Sequence, residues 1–487
     1  MYMLVMGIDV GTQGARAMVT DLSGVVKAEV TESFGAETLV STGEGAFEQD
    51  PRMWREALEL CLTGAVSKLA DKGVAADAIA AVAVTSTSGT LCLCDARGEP
   101  VGNAIMYSDA RSAEVVPVVR AASAAWETKM GTRMGASYAL TKAVWLAQAD
   151  PGRVERARWL LSPADLVTGW LTGEPGVADW TSALKWGYDV VDLIWPPFIW
   201  EKLGVARAML PRVVAPGQAV GRISSAVARA TGLSPRTMVA AGATDGNASQ
   251  LASGAASLGD WNSTLGTTLV LKGVTSELVR DPEGRIYCHR HPDGHWSPGG
   301  ASSTGADCLT LRFGADRLEA LNASALERSP TGLVVYPLTR RGERFPFVQP
   351  EAEGFSLGQA SDEATLYAAY LEGLAYVERL AYEVVASLGA EVGPRIYCAG
   401  GGSRSAAGLQ IRADVLGKEL VVPEHEAGAM GAAMLAARAS HYASVGEAVA
   451  SMVRLRSPMR PRSDRAEAYQ EGYGRFVEAC RQRGYLA

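Results

Sequence analysis

Asp245 ends the apolar run Val239-Ala240-Ala241-Gly242-Ala243-Thr244 and is followed at once by Gly246. A carboxylate at such a strand end can take a proton from a substrate hydroxyl, or it can cap a helix starting near Gly246. A second acid opens the chain, in Gly7-Ile8-Asp9-Val10-Gly11-Thr12-Gln13-Gly14. Gly11 and Gly14 let backbone N–H groups point at an anion, and Thr12 adds a hydroxyl donor. Asp9 can hold a hydrated Mg²⁺ at the strand end. A Gly-Thr turn also serves as a plain hairpin. The same layout returns at Leu265-Gly266-Thr267-Thr268, however, and the pair points to a duplicated phosphate-binding hairpin, one near the start of each half. A third loop, Gly400-Gly401-Gly402-Ser403-Arg404-Ser405, lies between a strand and a helix, where bare backbone can pass under a flat ring or a phosphate. It lacks dinucleotide spacing, and the chain contains no G-x-x-x-x-G-K-[ST] loop.

Other residues offer less. His289, His291 and His295 alternate around a turn, but only Asp293 accompanies them, so zinc is not expected. Arg340–Arg344 and Arg454–Arg465 read as solvated surface with too few aromatics for single-strand binding. Eight of the eleven tryptophans fall between Trp126 and Trp200. Indoles can stack on sugar rings, but core and interface filling is the expectation for each of them.

The elements that must carry these loops follow from periodicity. Leu4–Ile8, Ala15–Thr20 and Val25–Val30 form a three-stranded meander. Asp50-Pro51 opens a helix whose stripe is Met53, Trp54, Ala57, Leu58, Cys61, Leu62, Ala65 and Leu69. Ile79–Val84 leads as a strand into Thr85–Thr90. In the second half, Leu269–Lys272 and a hairpin around Pro292-Asp293-Gly294 precede Gly299–Gly305 and a helix near Ala306–Phe313. A long helix spans about Asp362–Leu388, with Ser361 as cap and Leu366, Tyr370, Leu374, Val377, Leu380 and Val384 inward. Then come strand Arg395–Ala399, helix Ser405–Leu416, strand Glu419–Val422 and a small-residue helix from Gly428. Strands first, then alternating helices and strands, give an α/β class with a mixed sheet.

The 487 residues exceed one core and imply two domains. A net charge of −7 with no strongly basic segment argues against nucleic acid. The opening Met1-Tyr2-Met3-Leu4-Val5-Met6 lacks a basic n-region and a cleavage site, so it reads as a strand and not a signal peptide. No apolar run reaches the ~18 residues of a membrane span. Seven scattered cysteines read as free thiols of a reducing cytoplasm.

In this order, the loops resemble those of the FGGY carbohydrate kinases, over nearly the whole chain. Gly7–Thr12 looks like the opening phosphate loop of the family, and Ile105-Met106-Tyr107-Ser108-Asp109-Ala110-Arg111 like its substrate-side loop. Ser162-Pro163-Ala164-Asp165 through Gly173-Glu174 is similar to its helix before the cleft. Thr244-Asp245-Gly246 sits where the family keeps its base. Tyr336-Pro337 through Gly342-Glu343-Arg344 resembles its Gly-Glu-Arg segment, and Gly400–Ser405 with Gln410-Ile411 and Ala413-Asp414 its adenosine-side signature.

The resemblance implies two actin-like (ribonuclease H-like) ATPase domains, 1–248 on the sugar side and 249–487 on the nucleotide side, with ATP and sugar in the cleft between them. It implies phosphorylation of a terminal sugar hydroxyl, with Asp245 as base and Asp9 toward Mg²⁺. Gly11, Thr12, Gln13, Gly266, Thr267 and Gly305 would hold phosphates, and Gly401 and Ser405 would line the nucleoside. Ser88 and Asp109 would touch the sugar. Where xylulokinases carry Gln-Met-His-Gly, this chain has Thr87-Ser88-Gly89-Thr90, which is more similar to the D-ribulose kinase-like branch. A ketopentose, D-xylulose or D-ribulose, is therefore expected. Rival readings are a kinase for L-ribulose, ribitol or glycerol, and an actin-like ATPase whose output is a conformational change. The expected partners are the sugar and ATP, with a homodimer as the assembly.

Overall fold

The structure is a computed structural model that describes residues 3–41 and 43–486; Met1 and Tyr2 of the expected first strand lie outside the described residues. The chain forms two compact units. The first gathers 1–252, 289–294 and 427–453, and the second 253–288, 295–426 and 454–487.

In the first unit the meander forms as Leu4–Val10, Gly14–Asp21 and Val26–Ser33, all antiparallel. Ile79–Ser86 joins Leu4–Val10 in parallel, Met238–Thr244 joins Ile79–Ser86 in parallel, and Ala219–Arg222 closes the edge. Buried on both faces, the central strands are almost wholly apolar or small. Helix Pro51–Ala70 starts where Asp50 accepts the Arg52 N–H. It buries Trp54, Leu58, Cys61, Leu62 and Leu69 in the core of this unit. Each such leucine contributes about 1.5–3 kcal/mol.

Helix Gly428–Ser440 packs on the same sheet through backbone. A Cβ on Gly7 would lie 1.8 Å from the Ala429 carbonyl oxygen, and one on Gly431 would lie 1.9 Å from that of Ala248. The division expected at 248/249 therefore differs from these units, because Ala427–Val453 returns to the first. Small residues allow that close approach, and nothing local in the sequence says which sheet receives it. Asp293, near the expected histidine turn, accepts the Val445 and Gly446 N–H groups at 2.9 and 2.8 Å, and so caps helix Val445–Met452.

The second unit repeats the core order. Trp261–Leu265, Leu269–Gly273 and Trp296–Ala301 run antiparallel, with Arg395–Ala399 and Glu419–Val421 added in parallel. In each unit a Gly-Thr hairpin thus joins the first strand to the second. Helix Glu363–Ser387 is capped by Asp362, not Ser361, through the Thr365 N–H at 2.8 Å. Of the expected stripe, Leu374, Val377 and Leu380 are buried and Leu366, Tyr370 and Val384 are half-buried; the buried surface also takes in Tyr367, Leu371, Tyr382 and two carboxylates, Glu372 and Glu378. Glu378 pairs with Arg412 at 2.6 Å and accepts the Ser263 hydroxyl at 2.6 Å, tying this helix to the first strand of the sheet.

Glu372 accepts the Thr331 N–H and hydroxyl at 2.8 and 2.7 Å. Burial outweighs those bonds and pushes its carboxyl from 4.5 up to about 7. The folded state then holds more protons than the unfolded one between these values. Stability from this group is full below about 4.5 and is lost as pH rises through about 7. Glu372→Gln keeps both contacts with Thr331 and removes the titration. Thermal midpoints measured from pH 5 to 8 should show the variant gaining on the wild type as pH rises, by on the order of 1–3 kcal/mol at pH 8.

Candidate functional site

The first unit brings Asp9, Ser88 and Asp245 to one neighbourhood. The strand before Asp245 is buried from Val239 to Thr244, and a Cβ on Gly242 would lie 1.5 Å from the Val84 carbonyl oxygen. Glycine alone lets these two parallel strands pass, and their register shifts between Ala240 and Ala243. Asp245 emerges exposed as the first residue of helix Asp245–Ser253, and its Oδ1 accepts the Gly246 N–H at 2.6 Å. The carboxylate thus starts the helix and stays open to solvent.

Asp9 ends the first strand half-buried. Burial, then the charge of Asp245, carry its carboxyl up to about 6 against the pull of Arg16. Its Oδ2 lies 2.9 Å from where a Gly428 Cβ would stand, so glycine there keeps space open beside it. A hard oxygen that is costly to leave charged and unpaired fits a hydrated Mg²⁺. Among the described residues no three His, Cys, Asp or Glu side chains converge as a metal cluster, so a cation at Asp9 would take its other ligands from water and phosphate.

Gly11, Thr12 and Gln13 form the adjoining hairpin, closed by Gly11 N–H to Gly14 O at 2.9 Å. The Thr12 carbonyl accepts the buried Gln49 amide at 2.9 Å, and Gln49 in turn accepts the Trp54 indole N–H at 3.0 Å. Gln49 thus braces the loop, a role with no local sequence signal.

Ser88 lies in a turn fixed by the Thr87–Thr90 hydroxyl pair at 2.9 Å and by Gly89 at φ +89°. Its own hydroxyl is buried without a hydrogen-bond partner. The ammonium of Lys185 donates to the Ser88 carbonyl at 3.3 Å and senses the charge of Asp245; burial lowers its pKa. Lys142, fully buried, donates to the carbonyls of Ala136 and Tyr107, and burial takes its amine down to about 7. Neither lysine carries a local sequence signal: Lys185 lies far along the chain from Ser88, and Lys142 links a nearby carbonyl, Ala136, to the distant Tyr107.

Asp109, expected at the sugar, stands inside a network of protein donors. It is buried, and both oxygens are taken: Oδ2 accepts the Phe47 N–H at 2.9 Å, Oδ1 accepts the Arg111 N–H at 3.0 Å, and the Arg111 guanidinium bonds both. Arg111 also pairs with Glu48 at 2.6 Å and covers the Trp145 ring at 4.6 Å. Asp109 shapes the Tyr107–Arg111 loop, with both of its oxygens engaged by protein donors. Trp126, Trp145, Trp180 and Trp186 are buried, in line with a packing role.

The second unit brings Gly266, Thr267 and Gly305 together. Ala306 N–H donates to Gly266 O at 2.7 Å, and a Cβ on Gly305 would lie 2.3 Å from Thr267 O. Glu343 fixes that contact from behind. Its carboxylate accepts the hydroxyls of Ser302, Thr304 and Tyr336 at 2.9, 2.9 and 2.8 Å, and the Ser303 N–H at 2.5 Å. The Gly-Glu-Arg segment is visible in the sequence, and this bracing role is not.

Gly400, at φ +83°, packs on Leu265, which links the glycine loop to the Gly266 hairpin. Gly401 is exposed, and a Cβ there would meet nothing within 4 Å. Ser405 caps helix Ala406–Leu416, accepting the Gly408 N–H at 2.8 Å and donating to Asn322 at 2.6 Å. Its hydroxyl is occupied by the cap.

Residues 4–252 match the model for the FGGY family of carbohydrate kinases, N-terminal domain, and residues 261–440 match that for its C-terminal domain. The chain is 31% identical over 453 residues to a xylulose kinase of Streptomyces rubiginosus, covering 89% of this chain and 87% of that one. It is 25% identical to a gluconokinase of Bacillus subtilis, covering 99% and 96%. The fold is similar to the crystal structure of a xylulose kinase from Rhodospirillum rubrum, with TM-score 0.87, 25% identity and 98% of each chain covered. It is also similar to that of a Plasmodium falciparum glycerol kinase with ADP, at TM-score 0.85, 18% identity and 98% coverage of each chain.

Proposed function

We propose that this chain, which belongs to the FGGY family of carbohydrate kinases and is thus a phosphotransferase of actin-like fold, phosphorylates a terminal hydroxyl of a ketopentose at the expense of ATP. The observation that carries the site assignment is the convergence in the first unit of an exposed Asp245, a half-buried Asp9, the Lys185 ammonium and the unpartnered Ser88 hydroxyl.

Asp245 accepts the proton of the sugar hydroxyl as its oxygen attacks the γ-phosphorus. Lys185 and Ser88 bind the other sugar oxygens. Asp9 is the residue that would hold a hydrated Mg²⁺, which supplies charge neutralisation to the phosphates when bound. Backbone N–H groups of Thr12 and Gln13, and of Thr267 and Gly305, hold phosphate oxygens, while Gly11 and Gly266 spend their own N–H groups on closing the two hairpins and leave bare backbone beside the phosphates. The open backbone at Gly401 takes the nucleoside, while Ser405 orients the following helix. A cytoplasmic setting suits seven buried free thiols and the ATP supply. No helix among the described residues is long and apolar enough to cross a membrane.

D-Xylulose leads because curated relatives of that specificity cover most of the chain. D-Ribulose is the second reading, favoured by the hydroxyl-rich Thr87–Thr90 turn. ADP release should be measured with D-xylulose, D-ribulose, L-ribulose, ribitol, glycerol and gluconate. A ketopentose is expected to give the highest kcat/KM. Equal ADP release with and without every sugar would sink the kinase reading, and a clear preference for glycerol or gluconate would sink the ketopentose.

A further inference from the structure

The peptide group between Ala243 and Thr244, immediately before Asp245, is held at both ends by side-chain hydroxyls. Thr85 donates to its carbonyl at 2.8 Å, and its N–H donates to the Thr181 hydroxyl oxygen at 3.0 Å. Thr181 is free to accept there because its own proton goes to Asp179, at 2.5 Å. Asp179 is buried and caps the turn Trp180–Ala183, accepting also the N–H groups of Thr181 and Ser182 at 2.7 and 3.1 Å and the Ser182 hydroxyl at 2.6 Å. Among the described residues the donors to Asp179 come from its own turn, which leaves the hydroxyl of Thr181 one orientation. The same turn continues through Leu184–Trp186 and carries Lys185 to the Ser88 carbonyl.

This clamp stands where the sheet register has already shifted, around Gly242. Pairing resumes beyond the shift as Ala243 with Thr85 and Thr244 with Ser86, and a bulge bends its strand and raises the local twist, so the aim of the strand end depends on what holds its last peptide. We infer that Thr181, oriented by Asp179, is a positioning residue for Asp245: its hydroxyl sets the peptide plane from which the carboxylate is launched. The inference rests on the reading of Asp245 as the base. Thr85 supplies the second point, and two points fix a plane where one would leave a hinge. The Asp179 turn also sets the Lys185 ammonium, so base and cation are placed by one element.

The test is a set of variants, Thr181→Val, Thr181→Ala and Thr181→Ser, with Asp245→Asn alongside, assayed by sugar-dependent ADP release with kcat, both KM values and thermal midpoints. Val and Ala remove the acceptor and should lower kcat ~10–100-fold, while KM for ATP changes less than ~2-fold. Ser restores the hydroxyl and should return kcat to within ~3-fold of wild type. The inference is overturned if folded Val or Ala variants keep wild-type kcat, or if Ser is as impaired as Val. It is equally overturned if kcat is lost only together with rising KM for both substrates and a lowered midpoint. Should Val and Ala fail to fold, Ser alone decides, since a folded Ser variant with reduced kcat contradicts the role. Full activity in Asp245→Asn would remove the base reading itself, a result separate from every outcome at Thr181.

Discussion

Asp245→Asn is expected to lower kcat by ~10²–10⁴-fold with little change in KM for ATP. The variant is a sharp discriminator because asparagine is as good as aspartate at a helix start. Its amide oxygen can still accept the Gly246 N–H that Asp245 accepts at 2.6 Å. Shape, local hydrogen bonding and fold are therefore kept, while the proton acceptor and the negative charge that Asp9 and Lys185 sense are lost. If capping were the whole task of this residue, steady-state ADP release at saturating sugar and ATP would be unchanged. A near-complete loss in a protein with an unaltered thermal midpoint marks the carboxylate as the base.

Gly7→Ala is expected to destabilise the protein by ~3 kcal/mol or more, the upper end for overpacking. By strand propensity alone the change should help, since glycine costs about 0.5–1 kcal/mol relative to alanine in a strand. The new methyl would lie 1.8 Å from the Ala429 carbonyl oxygen and 2.4 Å from the Ala433 nitrogen. Both are backbone atoms of one helix and cannot rotate aside. Strand Leu4–Val10 or helix Gly428–Ser440 must move, and Asp9 sits two residues along that strand. Denaturant unfolding should show a midpoint well below wild type. A midpoint equal to or above it would mean that this helix does not rest on this strand.

The parts of this fold legible in the sequence are those whose signal is local. The meander, the Asp50-capped helix and both Gly-Thr hairpins follow from alternation, helical spacing and turn chemistry within ten or twenty residues. What escaped depends on partners far along the chain. Asp109 and Ser405 have the residue types of ligand contacts, yet Asp109 is taken up by the Phe47 N–H and Arg111, and Ser405 by Gly408 and Asn322. Glu343 has the look of a motif member and is the brace of the Ser302–Thr304 segment. Lys185 and Thr181 give no signal, because a lysine or threonine in a short turn is ordinary until the strand it touches is known. Helix Gly428–Ser440 is recognisable as a helix of small residues, but its destination is not, since small residues permit close approach to any backbone.

That helix also sets a schedule for synthesis. The first unit has its strands in hand once residue 252 is made, but the helix that covers one face of its central strands arrives only with residues 428–440. Roughly 200 residues must be translated in between, which at ~5–20 residues per second takes ~10–40 s. For that interval the nascent chain presents an apolar sheet face whose final cover does not yet exist. Apolar surface left open for that long is a route to aggregation during synthesis that the finished, covered sheet does not offer.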